Sequence, residues 1–227
     1  MTRLIFGGFC VLLVVAGLSG LLLYGMQKSQ EGTMITYAPW DVVVRPDGSL
    51  EVMNLVVGGG TAAEAAAALD KEPRLLLYVG PGGDNSLEAS FGKVTVGGFS
   101  GTLIANLASD DAWAEKAKER APQQQTVPGD LVQYTLSDED VRTAQSARVV
   151  ALTFIPVIEM ADDIIKARFG QPEKVVQPKP RVFIWFYRSK GIFLTQSLPG
   201  QEVIQYVPIG DYDRITAPMQ NHPVVEK

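Results

Sequence analysis

The hydrophobic pattern changes character once along the chain. Residues 4–26, LIFGGFCVLLVVAGLSGLLLYGM, are almost wholly apolar and carry no formal charge. As a helix they extend roughly 34 Å, enough to cross a hydrocarbon core of about 30 Å. The run is longer than the apolar centre of a secretory leader. Its small-residue cluster, Gly17-Leu18-Ser19-Gly20, is followed by three leucines, which make a poor mature start. The pattern therefore predicts a retained transmembrane helix, with a cleaved leader and a buried core helix as alternatives. Arg3 precedes the run and Lys28 follows it. A short leading tail and a large trailing domain favour a bacterial inner-membrane, single-pass topology with the C-terminal domain in the periplasm. A cytosolic domain is the alternative.

Beyond residue 26 the apolar positions fall into short runs. Those at 41–44 and 50–57, joined by the turn sequence RPDGS, predict strands. GGGT then leads into an alanine-rich helix over 62–69, with Thr61 as its N-cap and Glu72-Pro73 as its stop. Strands are predicted over 74–79, 87–91, 93–96 and 99–106, followed by a helix from Ser109 or Asp110 to Arg120. A surface loop covers 121–130, and a short strand 131–136. Ser137, with three acids behind it, opens a helix predicted to reach Thr153. A further helix over 159–169 is closed by Gly170 and Pro172. Three antiparallel strands are predicted over 182–187, 191–197 and 201–207, and VFIWFY in the first is apolar enough to be covered on both faces.

Runs of strands with segregated helices predict an α+β fold: an N-terminal transmembrane helix followed by helix-plus-antiparallel-sheet units. The expected organisation is an anchor over 1–28, a tether and first strand over 29–48, α+β units over 49–136 and 137–210, and a flexible tail over 211–227. AAEAAAALDKEPRLLLYV, from Ala62, and ADDIIKARFGQPEKVVQP, from Ala161, share the order helix, break, proline, strand. That raises the alternative that the two units are related copies.

The later stretch, IIKARFGQPEKV with FIWFYRSKGIFLTQSLPGQEVIQYV, resembles the small module of the SmpA/OmlA outer-membrane assembly lipoproteins. Phe169, Gly170, Pro172, Trp185, Tyr187, Gly191 and Tyr206 carry the resemblance. It covers about fifty residues and, more faintly, 58–107. The whole chain also resembles membrane-anchored proteins of proteobacteria. The family implies a non-catalytic α+β platform that contacts partner proteins or lipid. This chain departs from it by lacking the lipidated cysteine.

Composition narrows the chemistry. The chain carries 20 basic and 25 acidic residues and has no basic stripe, which argues against nucleic acid as a partner. Cys10, inside the apolar run, is the only cysteine, so no intrachain disulfide or cysteine metal site is available. His222 is the only histidine and lies in the tail. No serine sits in a G-x-S-x-G elbow. Gly58, Gly60, Thr61 and Ala63 lie on a strand–turn–helix and match G-x-G-x-x-A, the pattern that offers backbone amides to a pyrophosphate. The helix behind it is short, no acid closes the next strand, and no βαβ units follow. A tight turn with an N-cap is therefore the better reading, and no cofactor is expected. The aromatic set Phe183, Trp185, Phe186, Tyr187 and Phe193 reads first as core; Trp185, Tyr187, Phe193 and Tyr206 are the candidate partner-binding residues if one aromatic sheet face is exposed.

These observations predict a membrane-anchored, non-catalytic periplasmic protein. It binds the membrane through residues 4–26 and acts as a binding or assembly-accessory module for other envelope proteins. The alternatives are a nucleotide- or flavin-dependent enzyme using the GGGT turn, and a lipid or small-molecule sensor.

Overall fold

A computed structural model describes residues 33–227. Its strands are β1 (Thr33–Ile35), β2 (Val42–Val44), β3 (Leu50–Val52), β4 (Leu55–Val57), β5 (Arg74–Val79), β6 (Asn85–Val96), β7 (Phe99–Leu107), β8 (Gln123–Val127), β9 (Leu131–Thr135), β10 (Val149–Pro156), β11 (Lys174–Lys179), β12 (Val182–Tyr187), β13 (Ile192–Ser197) and β14 (Val203–Tyr206). Its helices are α1 (Ala62–Leu69), α2 (Asp111–Arg120), α3 (Asp138–Ser146), α4 (Asp162–Phe169) and α5 (Ile209–Gln220). Ten strands lie side by side in the order β11-β12-β13-β14-β10-β7-β6-β5-β9-β8, and β1 adds an eleventh by pairing parallel with β6. The strands β2, β3 and β4 form a separate small sheet.

This corrects the α+β expectation. The described residues are 41% strand and 26% helix, and the two expected helix-plus-sheet units merge into one mostly antiparallel sheet. The join is β10, antiparallel to β7 on one side and to β14 on the other. The pattern predicted helix there, because the favourable start at Ser137 led on without a break. The Ser137 hydroxyl does cap α3, accepting from the Asp140 amide. Helix α3 nevertheless ends at Ser146, and VVALTFIP is extended. β-Branched and aromatic residues fill that run, and alternate positions serve opposite sheet faces. Leu152 and Phe154 enter the main core, while Ile155 joins Ile104 and Val203 in a smaller cluster.

The membrane expectation is corrected as well. Among the described residues no helix is long and apolar enough to cross a membrane. The apolar run 4–26, on which the anchor, the inner-membrane location and the periplasmic domain rested, lies outside the described residues.

Local chemistry explains the individual elements. Thr61 and Glu64 form a reciprocal capping box at the start of α1. Asp110 caps α2 through the Trp113 amide at 2.7 Å. Gly170 ends α4 at φ +90°, a conformation that glycine adopts without strain. The suspected repeat forms an eight-residue helix and a six-residue strand in each copy. The paths then differ: β5 pairs on both sides, with β6 and β9, whereas β11 pairs with β12 and is otherwise met by the chain's last residues. The stretch from 211, expected as a flexible tail, instead lies in α5 and the segment after it. Tyr212 and Met219 of α5 are buried, and the Tyr212 hydroxyl donates to the Ile192 carbonyl at 2.8 Å.

The sheet is covered on both faces, unequally. One face packs on Ala62, Ala65 and Leu69 of α1, Ala114 and Ala117 of α2, Ala144 of α3, Ile165 and Phe169 of α4, and the small sheet. Alanines allow the helices to approach closely. On the other face Ile184, Phe186 and Phe193 pack against Tyr212 and Met219 of α5. Asp140 is fully buried and bonded to Arg120 and Ser137, tying the end of α2 to the start of α3. The Arg120 guanidinium holds its carboxyl below the usual range against the effect of burial.

Phe154 is fully buried on the joining strand, and its ring lies where a side chain at Gly101 would stand. Phe154→Ala is expected to cost about 3–5 kcal/mol in urea unfolding. Val43→Ala, at a position 60% exposed, should change stability by no more than about 0.5 kcal/mol. Similar costs at both positions would contradict the placement of β10 in the core.

Candidate binding surface

The strands bring their loops together at one end of the sheet, where β1, β6, β10 and β13 finish and β7 and β14 begin. Four large apolar side chains are exposed there: Tyr37 at 56%, Val157 at 58%, Ile158 at 48% and Leu198 at 37%. Ile164, near the start of α4, is also exposed. Scattered apolar residues are ordinary on a surface, and their grouping at one end of the sheet makes that end the candidate binding surface.

These loops are clamped. The Val157 amide donates to the Ser100 carbonyl at 2.9 Å, and the Leu198 amide to the Arg181 carbonyl at 2.8 Å. The Gly200 amide donates to the Glu159 carboxylate at 3.0 Å, joining the 157–161 loop to the β13–β14 turn. Beneath them Glu202 is fully buried and accepts from the Met160 amide at 2.9 Å. Burial pushes its carboxyl up, and the Met160 amide opposes the shift. The Gln196 side-chain amide donates to the Met160 carbonyl and to Asp162, both at 3.1 Å. Lys227 reaches Asp162 and lies 3.5 Å from the Phe183 ring centroid. Tyr37 is held by its neighbours: Gly97 donates to the Ile35 carbonyl, and a side chain at Gly97 would stand 2.6 Å from the Ala38 Cα.

The residues singled out from the sequence lie elsewhere. Gly58 donates to the Val149 carbonyl, Gly60 to the Val56 carbonyl, and Thr61 to the Glu64 carboxylate. Three of the turn's four amides are thus committed to the fold, and a carboxylate occupies the helix N-terminus. A side chain at Gly58 would meet the Pro208 ring at 2.7 Å, so close packing accounts for that glycine. Ala63 is exposed beside a shallow depression along α1. Trp185, Tyr187, Phe193 and Tyr206 are each no more than 2% exposed, which corrects their reading as surface anchors. Trp185, Tyr187 and Tyr206 face the main core and Phe193 the α5 side, because both faces of the strands are covered. The Tyr206 hydroxyl donates to the Pro39 carbonyl at 2.7 Å and pins the segment before β2.

Val157 and Ile158 do not stand out in the sequence, because Pro156 reads as a simple helix break. The available signal was the apolar pair persisting beyond that proline, just ahead of Glu159.

A polar group occupies β5, β6, β7 and β9 on the sheet face opposite the helices α1–α4. Tyr78 bonds Gln133 at 3.2 Å, Ser86 bonds Glu88 at 3.3 Å, and Asn106 reaches Ser86 at 3.5 Å. Burial pushes the Glu88 carboxyl up to about 7, opposed by the Ser86 hydroxyl. Among the described residues no group of three His, Cys, Asp or Glu could hold a metal ion.

No family model matches the chain, and neither a curated protein nor a solved structure does.

Glu88 gives a pH prediction. Its carboxyl is raised in the folded chain, so folding favours the protonated form. Its contribution is therefore greatest at low pH and falls as pH rises from the unfolded value through about 7. Between pH 5 and pH 8 the wild type should lose roughly 2–3 kcal/mol more stability than Glu88→Gln, read from paired urea titrations. Parallel pH profiles would show that Glu88 ionises as it would in water.

Proposed function

We propose that the chain is a non-catalytic binding module, an assembly accessory that offers one end of its sheet to a partner protein. The observation that carries this reading is the exposed set Tyr37, Val157, Ile158 and Leu198 on loops held by main-chain and buried side-chain hydrogen bonds. Covering such side chains removes apolar surface from water, and loops already held lose little freedom on binding. The resemblance to the SmpA/OmlA module supports the same reading, since that family's role is to contact partners. Its motif residues here serve the fold: Phe169 and Tyr206 are buried, and Gly170 and Gly191 take positive φ. The partner contact is accordingly assigned to the loops and not to the aromatic strand. The enzyme reading loses ground because the Gly58, Gly60 and Thr61 amides already have acceptors.

A photoreactive amino acid at Ile158 of the full chain, activated in the cells that produce it, tests the proposal. A discrete protein adduct is expected, and Leu198→Asp should reduce it at least tenfold. Equal labelling from an exposed control position, Lys116 on α2, or no adduct at all, would refute the surface. A rise in melting temperature with a dinucleotide or flavin would instead restore the enzyme reading.

A further inference from the structure

The two edges of the large sheet are treated differently. At β11 the chain closes its own edge: Gln177 donates to the Pro223 carbonyl at 3.0 Å, Val225 donates to the Val175 carbonyl at 3.0 Å, and Val176 bridges to Val224. At the other end, among the described residues, β8 pairs only with β9. Its first four residues are exposed and Val127 is half-buried. An open strand edge offers unpaired amides and carbonyls to another strand, and proteins usually protect such edges with charge. No charged residue occurs between Arg120 and Asp130.

We propose that β8 is a homodimer edge, pairing antiparallel with β8 of a second copy about a two-fold axis through Gln125. The sequence around it is self-complementary. In this register Gln125 meets Gln125, Gln124 meets Thr126, and Gln123 meets Val127. A residue on the axis faces itself, so a charge there would repel its own copy, whereas an amide both donates and accepts. The first charges outside the strand, Arg120 and Asp130, are of opposite sign and equally far from Gln125. Arg120 is held by Asp140 within its own copy and Asp130 lies in the β8–β9 turn at φ +57°, so no like charges face each other across the five paired residues. Pro122 and Pro128 flank the strand symmetrically and, lacking amide hydrogens, confine the pairing to the five residues between them. The contact is isologous, so it closes at two copies and does not run on as a fibre. Five residues bury little area, and the dimer is accordingly concentration-dependent.

Register-specific crosslinking of the full chain in a Cys10→Ala background tests this. Opposed residues in an antiparallel pair have Cβ atoms about 4.5–5.5 Å apart, within reach of a disulfide after slight adjustment. Gln125→Cys should form a linked dimer under mild oxidation. Gln123→Cys should link at least tenfold less, because its own copy lies about four residues away along the pairing. In sedimentation, Gln125→Lys should raise the concentration at the dimer midpoint at least tenfold, while the melting temperature measured well below the wild-type midpoint, where both are monomers, stays unchanged. Equal linking at 123 and 125, or a wild type monomeric across the concentration series, would overturn the proposal. So would a dimer that Gln125→Lys leaves intact.

Discussion

Strand β10 hydrogen-bonds to β7 along one side and to β14 along the other, and the architecture depends on that double pairing. Without it the chain would hold two antiparallel sheets, each with a raw edge in the middle of the molecule. With it, the apolar positions of β7, β10 and β14 line up as Leu103, Phe154 and Ile204 in one row, and Ala105, Leu152 and Tyr206 in the next. Helices α1–α4 then share a single floor. The loops leaving β10 and β13 arrive side by side for the same reason, so the exposed apolar group is a consequence of the pairing.

Much of the local structure was legible in the residues. Thr61 as N-cap announced the start of α1, and Gly170 followed by Pro172 announced the end of α4. RPDGS marked the turn between β2 and β3, where Gly48 takes φ +82°. The hidden features depend on distant partners. A run such as VVALTFIP is apolar enough for helix or strand, and what decides it is the presence of β7 and β14, one early and one late in the chain. QQQTV has neither the apolar alternation nor the length that signals a strand, and it is extended because β9 supplies a partner.

The candidate binding residues were harder to see, for a related reason. Aromatic side chains in VFIWFY could serve a core or a surface, and sequence does not record that α5 folds back over one face while α4 closes the other. The glycines of GGGT suggested ligand chemistry. At Gly58 the immediate causes are a φ of +97° and the Pro208 ring, which leaves no room for a side chain there. Ile158 is ordinary in sequence and acquires meaning only from its exposure at the end of a clamped loop.

The most direct test of the joined sheet is native-state amide hydrogen exchange resolved to single residues. If β10 unites the molecule, the amides of Leu152, Thr153 and Phe154 should be among the slowest, exchanging with the same free energy as those of Ala105 in β7 and Ile204 in β14. That common value should equal the global unfolding free energy. Separate values for β7 and β14, with β10 opening at the lower of the two, would show that the halves unfold independently and would contradict the account.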